Sequence, residues 1–218
     1  MEISEPEAIE EARAIAARLK AALPEAVDAI SQGIDHKTIF YLLVARESLL
    51  HRVSALADDA LPLIDAGRHL SAAILVRSML ESTAVLGFLL RSLETLERTS
   101  DVQALYKRVA KVVVGSRDGD EGSPVSVHVL DAIREADIRL PVPGLMRLYE
   151  TLSEFAHPNW SGLMGTFGTH ESALHVRFGG QPRATPALGP HLAIILSSFE
   201  YLYELLGEAV VKAATRLK

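Results

Sequence analysis

The segment from Leu70 to Leu90, LSAAILVRSMLESTAVLGFLL, constrains the fold of this chain more than any other part. It is apolar almost throughout, and its charged residues are Arg77 and Glu81. A separation of four positions places these two side chains one turn apart on the same face of an α-helix. Because a charge buried without a partner is very costly, each must be satisfied by the other, by another polar group or by a ligand. The segment therefore predicts a buried central helix that carries a polar point near its middle.

The pair formed by Arg77 and Glu81 has two interpretations. Both residues share a helical face with apolar positions such as Ile74 and Phe88, so we expect them to point towards the core. In the first interpretation they form a buried ion pair that fixes the register of the helix. In the second, Arg77 lies at the floor of an anion or nucleotide pocket and Glu81 orients it, because a planar guanidinium binds carboxylate or phosphate through two parallel hydrogen bonds.

The same segment is long enough to span a bilayer, so its charges also bear on where the protein resides. Arg77 and Glu81 near its midpoint would make insertion expensive, and no flanking anchor pattern supports it. The N-terminal sequence MEISEPEAIEEA is acidic, unlike a signal peptide or a basic transit peptide. We therefore expect a soluble, cytoplasmic protein with no membrane partner.

Composition narrows the possible functions of the 218-residue chain. Its formal net charge of −6 argues against general nucleic-acid binding driven by neutralisation of phosphates. The main basic cluster is interpreted as a solvated helix face and consists of Lys107, Arg108, Lys111 and Arg117. The chain has no cysteine, which excludes disulfides, thiolate zinc sites and cysteine nucleophiles.

Helical spacing of apolar residues through most of the chain predicts an all-α fold. We expect an antiparallel helical bundle that forms one domain over residues 1–218. Residues 1–34 are predicted to form an N-terminal helical arm, which starts with a capping box at Ser4 and Glu7. Residues 162–180 are predicted to form a small β-hairpin inserted before the C-terminal helix, with the runs MGTFG and ALHVRF on either side of a THES turn.

Two segments that contain proline predict helix boundaries. Asp58 and Asp59 followed by Pro62 predict a break and a separate short helix, because proline lacks the amide hydrogen that continues a helix. Ser123 followed by Pro124 is typical of a cap with proline at the first helical position, and predicts that a helix starts there.

A second polar cluster lies in LYETLSEFAHPNW, where Tyr149, Ser153 and His157 recur every four residues on one helical face. His157 either hydrogen-bonds the last carbonyls of this helix or acts as a general acid or base. If the helix packs against the central one, its end brings His157 near Arg77 or Glu81. Asn159 follows directly and completes the set of candidate ligand-binding residues.

Metal and cofactor motifs are weak in this sequence. Glu154 and His157 have the E-x-x-H spacing of di-iron bundles, but those sites need two such motifs and further carboxylates. Glu47 and His51 are one turn apart and could touch a metal, although such pairs are usually surface contacts. No P-loop, no G-x-G-x-x-G after a strand and no H-E-x-x-H is present. We expect neither a metal nor a cofactor.

Two segments together, RHLSAAILVRSMLES (68–82) and LYETLSEFAHPNWSG (148–162), resemble a group of bacterial helical proteins. The group is similar in outline to HEPN-type proteins, including abortive-infection proteins, and the resemblance extends from about Ile39 onward. It implies an all-α bundle, often dimeric, with Arg77, Glu81, Ser153 and His157 at matching positions. HEPN ribonucleases carry R-x4–6-H, whereas here the nearest arginine before His157 lies ten residues upstream.

Two functional hypotheses follow from these observations. In the first, the protein is a noncatalytic HEPN-like binding or interaction module in stress or phage defence and forms a homodimer. Its polar cluster is then either a structural scaffold or a pocket for a nucleotide or RNA ligand. In the second, it is a metal-independent ribonuclease-type enzyme whose Arg77 and His157 converge in space. The negative charge and the unmet R-x4–6-H motif favour the first. The hypotheses differ in whether Arg77 and His157 meet in an open cleft.

Overall fold

The computed structural model describes residues 4–31, 33–119, 123–179 and 187–217. These residues form an all-α bundle with one antiparallel hairpin before the last helix, which confirms the predicted fold class. The elements are α1 (Glu5–Ala21), α2 (Lys37–Asp65), α3 (His69–Thr99), α4 (Val102–Val113), α5 (Val129–Asp137), α6 (Leu145–Ala156), α7 (Met164–Phe167), β1 (Gly168–Ser172), β2 (His175–Phe178) and α8 (Leu188–Arg216).

Helix α3 is the central helix of the bundle, as its apolar sequence predicts. It packs against α2, α4, α5, α6 and α8, and 67% of its most apolar 18-residue window is buried by them. A helix that is hydrophobic on most of its faces is stable in water only when other elements cover those faces. The hydrophobicity that would suit a membrane span is thus used in packing.

The contact between α3 and α5 is unusually close because Gly87 has no side chain. A Cβ added at Gly87 would lie 2.5 Å from the backbone nitrogen of Ala136 and closer still to its Cα. A glycine inside a helix costs about 1 kcal/mol relative to alanine, so local propensity does not favour it here. The glycine instead permits the two helix backbones to approach each other.

Helix α1 belongs to the bundle rather than lying apart from it. The predicted capping box is present, since the Ser4 hydroxyl accepts from the Glu7 amide and the Glu7 carboxylate accepts from the Ser4 amide. The apolar face of α1 packs along α8 and also reaches α2. The segment predicted as an N-terminal arm therefore contributes to the common core, through Ala12, Ile15, Ala16 and Leu19.

The predicted break near Asp58 and Asp59 is wrong. Helix α2 runs without interruption to Asp65 and contains Pro62 three residues before its end. Its buried positions continue with helical spacing past the two aspartates, at Ala57, Ala60, Leu61 and Ile64. Burial of this stripe outweighs the loss of one hydrogen bond at a proline close to the C-terminus.

The helix predicted to start at Ser123 and Pro124 starts later, at Val129. Residues 123–128 instead run beside the end of α4, where Ser116 donates to the Pro124 carbonyl (3.1 Å) and Ser126 donates to the Ser116 carbonyl (2.9 Å). These two bonds supply partners for backbone groups that a helix would otherwise satisfy. They also place Ser126 next to the end of α4.

The hairpin is shifted relative to its prediction. MGTF forms the short helix α7, and Gly168 is the first residue of β1. THES forms the rest of β1 rather than the turn, and the turn falls at Ala173 and Leu174. Thr169 pairs with Arg177, whose Nε lies 2.6 Å from a Glu171 oxygen on the same face. This cross-strand pair supports the observed register. The last predicted hairpin residue, Gly180, lies outside the described residues.

Replacing Gly87 with alanine should destabilise the bundle. Steric overpacking against the α5 backbone costs typically 1–3 kcal/mol, which exceeds the gain of up to about 1 kcal/mol from helix propensity. We expect urea denaturation to give a lower free energy of unfolding, by about 1–2 kcal/mol. Adding Ala136→Gly should not restore stability, because the nearest atoms belong to the backbone. A Gly87→Ala variant as stable as the parent would show that α3 and α5 can separate freely.

Candidate functional site

The predicted polar clusters of α3 and α6 meet at Arg77. Its Nη2 donates to the Tyr149 hydroxyl (2.9 Å) and lies 3.1 Å from a Glu81 oxygen. The guanidinium carbon also lies 4.9 Å from the centroid of the Tyr149 ring, within the range of a cation–π contact. Packing of α6 on α3 thus brings three of the predicted site residues together.

The pair lies at the rim of the core and not inside it, which corrects the expectation drawn from the sequence. The Arg77 side chain is 23% exposed and that of Glu81 is 34% exposed. Along the same helical face Ile74 is also exposed, whereas Phe88 is buried. The face is therefore covered only along its C-terminal half, and the charges lie where the cover ends.

Two buried polar atoms at the contact between α3 and α6 have no hydrogen-bond partner among the described residues. They are Arg77 Nε and Ser153 Oγ. Buried polar groups in folded proteins nearly always have partners, and an unmet one costs about 1–3 kcal/mol. Such departures from optimal stability are typical of functional sites.

His157 and Asn159 lie apart from this cluster. The His157 side chain is exposed at the end of α6, and no described hydrogen bond or ion pair joins it to Arg77 or Glu81. Asn159 serves local structure, because its Oδ1 accepts from the Gly162 amide (3.1 Å) and its Nδ2 donates to Glu154 (2.8 Å). In the described residues, Arg77 and His157 therefore share no contact.

A cavity of about 260 Å³ opens beside Glu81 between α2, α3 and α4. Arg52 and Lys111 line it, and neither has a carboxylate oxygen within 4 Å among the described residues. Arg52 Nε donates to the Ser82 hydroxyl (3.1 Å), which in turn donates to the Ser78 carbonyl (2.8 Å). The remaining lining comes from Leu49, Val85, Val112, Gly115, Ser126 and Val127.

Sequence reasoning missed this cavity because its polar residues come from three helices. Arg52 and Ser82 carry no motif, and only helix packing places them together. Lys111 is part of the basic cluster that we interpreted as a solvated face. Arg108 of that cluster departs from this interpretation, since its guanidinium lies over the buried Phe88 ring (4.2 Å) and donates to Ser92 (2.8 Å). Burial lowers the pKa of Arg108 from its ordinary value.

A second polar cluster, also missed, joins α2 to α8. Arg46 pairs with Glu47, and the two side chains are only 15% and 13% exposed. The Tyr203 hydroxyl donates to Glu47 (2.6 Å), and Arg46 Nε donates to the Tyr203 carbonyl (3.2 Å). Burial, together with the adjacent Glu47 carboxylate, raises the pKa of Tyr203 well above its ordinary value of 10.0. The phenol is therefore held as a hydrogen-bond donor.

The metal alternative finds no support in these positions. Glu47 is engaged by Arg46 and Tyr203, whereas His51 Nε2 lies 2.9 Å from the Pro24 carbonyl oxygen. The two side chains thus have different partners. Across residues 4–31, 33–119, 123–179 and 187–217, no group of three or more metal-ligating side chains is found.

Arg77 and Tyr149 should contribute to stability as a coupled pair. Because the contact is partly exposed, we expect Arg77→Met to lower the free energy of unfolding by about 1–2 kcal/mol and Tyr149→Phe by about 1 kcal/mol. These values are smaller than the 3–5 kcal/mol typical of breaking a fully buried ion pair. A double-mutant cycle measured by urea denaturation should give a coupling energy of at least about 0.5 kcal/mol. Strictly additive losses would mean that the two side chains do not interact.

Tyr203 should make stability depend on alkaline pH. Its pKa is raised in the folded state, so above pH 10 the unfolded chain releases a proton that the folded chain retains. The free energy of unfolding should therefore fall with rising pH, by at most about 1.4 kcal/mol per pH unit for this group. The difference between the parent and Tyr203→Phe, measured by urea denaturation, should shrink as the pH rises above 10. A difference that is independent of pH would show that the phenol is not held in its protonated form.

Comparisons with known proteins give no further guide to this site. The chain matches no protein-family model, no curated protein and no solved structure. The resemblance to HEPN-type proteins therefore rests on the segments 68–82 and 148–162, and the site is interpreted from its own residues.

Proposed function

We propose that this protein is a noncatalytic, HEPN-like helical binding module that binds the phosphate group of its ligand in the cavity beside Glu81. The observation that carries the proposal is the presence of Arg52 and Lys111 in one cavity without a carboxylate partner among the described residues. A guanidinium binds phosphate through two parallel hydrogen bonds, and an ammonium supplies a compact positive charge.

Local charge supports an anionic ligand. The chain as a whole has a formal net charge of −6, whereas the described residues that line this cavity include more basic than acidic side chains. Among the described residues, Glu81 supplies the one carboxylate that lines the cavity, and Arg77 pairs with it. Arg52 and Lys111 thus leave an excess of two positive charges, which matches a phosphate dianion.

The size of the cavity limits what enters it. Sites for complete small-molecule ligands usually have volumes of about 300–1,000 Å³, and this cavity has about 260 Å³. A single phosphate group fits, while the rest of a nucleotide or RNA strand would lie outside on the exposed surface. The ligand class is therefore a phosphate-bearing molecule and not a buried cofactor.

The Arg77 cluster has a supporting role in this proposal. Tyr149 and Arg77 hold Glu81 at the edge of the cavity through a continuous chain of contacts. Glu81 can accept a hydrogen bond from a ligand hydroxyl or amino group outside the phosphate. The unpartnered Arg77 Nε and Ser153 Oγ fit a cluster that is retained for binding at some cost in stability.

The alternative function is a metal-independent ribonuclease that uses Arg77 and His157. No described contact joins these residues, and the exposed His157 is not part of the cavity lining. Binding is therefore the function that we propose. The proposal also includes what the resemblance implies, namely that the protein is a cytoplasmic homodimer with a role in stress or phage defence.

Titration calorimetry with pyrophosphate and 5′-AMP at low ionic strength would test the proposal. We expect binding to the parent protein, with affinity reduced by about tenfold or more in Lys111→Gln and in Arg52→Gln, because each removes a charge-assisted contact. Lys107→Gln is the matched control, since it removes the same charge one turn earlier on the same helix, from an exposed residue that does not line the cavity. It should leave affinity nearly unchanged.

Two outcomes would contradict the proposal. Absence of binding by both probes would remove the phosphate site, and an equal effect of Lys107→Gln would reduce the interaction to nonspecific electrostatics. A parallel cleavage assay with single-stranded RNA distinguishes the binding module from the alternative ribonuclease. Cleavage that disappears in His157→Ala would favour the ribonuclease over the binding module.

A further inference from the structure

A second cavity, of about 430 Å³, lies between α2 and α8 and is separate from the proposed phosphate site. Its size falls within the usual range for small-molecule sites. Most of the described residues that line it have aliphatic side chains, and Arg46 is the one charged side chain among them. The lining residues that could contact a ligand include Leu43, Arg46, Gly207, Val210, Ala214 and Thr215.

Arg46 lines this cavity, and one nitrogen of its guanidinium, Nη2, makes no described hydrogen bond. The group stacks on the Tyr203 ring (3.4 Å from Cζ to the centroid), and its Nε and Nη1 are engaged by the Tyr203 carbonyl and by Glu47. No described hydrogen bond involves Nη2. Stacking and two engaged nitrogens hold the planar fork rigidly, so the free donors of Nη2 have a fixed direction.

Gly207 gives Arg46 access to the cavity. A Cβ at this position in α8 would lie 3.0 Å from Arg46 Nη2 and 3.3 Å from Cζ. Because glycine in a helix interior costs about 1 kcal/mol relative to alanine, the residue is unfavourable for α8 alone. The missing side chain lets the guanidinium lie against the helix at the cavity wall.

The charge balance determines which ligand fits. Glu47 neutralises Arg46, and both side chains are more than four-fifths buried. An anionic ligand would therefore add an uncompensated charge to a largely desolvated site, which is costly. A neutral carbonyl oxygen accepts from Nη2 without that cost. This distinguishes the cavity from the phosphate site, where the cations lack acidic partners.

We propose that the cavity binds a small aliphatic molecule with one neutral carbonyl, such as a primary amide, an ester or a ketone. The carbonyl oxygen accepts from Arg46 Nη2. The alkyl part packs against Leu43, Val210 and Ala214. Thr215 lies at the wall with its hydroxyl donated to the Val211 carbonyl (3.0 Å), so it adds no competing donor.

Binding of hexanamide, followed by ligand-observed NMR and by the shift in Tm, tests this proposal. Hexanamide should bind the parent protein, and hexanoate, which has the same carbon chain but carries a charge, should bind at least about tenfold more weakly. Arg46→Lys keeps a positive charge beside Glu47 but removes the Nη2 donor. It should lower the affinity for hexanamide by at least about tenfold.

A second variant keeps the test valid if Arg46→Lys fails to fold. Ala214→Leu fills the cavity without altering the guanidinium and should abolish hexanamide binding. Ala209→Leu is the matched control, because it makes the same change on the same helix at a position that lines a different cavity. Absence of hexanamide binding to the parent, unchanged binding in Ala214→Leu, or tighter binding of hexanoate than of hexanamide would overturn the proposal.

Discussion

Coverage of helix α3 is the constraint on which the rest of this structure depends. The helix is apolar on most of its faces, so it must be surrounded by other helices to be stable in water. Five helices pack against it, and Gly87 allows one of them to approach at backbone distance. These five helices are held in place largely by this coverage, whereas α1 is held by its packing along α8 and against α2. Arg77 and Glu81 lie on α3 where this coverage by other helices ends.

Arg77 lies at the edge of the hydrophobic core, where a charged side chain is partly buried and partly exposed to solvent. It lies on a face of α3 that is exposed at Ile74, towards the N-terminus of the helix, and buried at Phe88, towards its C-terminus. Partial exposure removes much of the desolvation cost that a fully buried pair would carry, while neighbouring apolar atoms still weaken solvent screening. The contacts with Tyr149 and Glu81 can therefore fix the guanidinium without making the whole bundle depend on it.

The two proposed cavities show how one residue type can serve different chemistry. Arg52 has no carboxylate partner among the described residues, so it retains its full charge for an anion. Arg46 is paired with Glu47 in a buried setting, so it offers hydrogen bonds without net charge. The identity of the side chain is the same, and the ligand class that each would accept follows from the nearest acidic neighbour.

Sequence by itself determined the helical fold and the central position of α3, because hydrophobic periodicity is a local property. It predicted His157 beside Arg77, whereas the structure places Tyr149 there. It misjudged how deeply Arg77 is buried and where α2 ends, since both depend on which surfaces other helices cover. The cavities were decided only by tertiary structure. Arg52 and Lys111, like Arg46 and Gly207, are far apart in the chain and meet through helix packing, which no local pattern encodes.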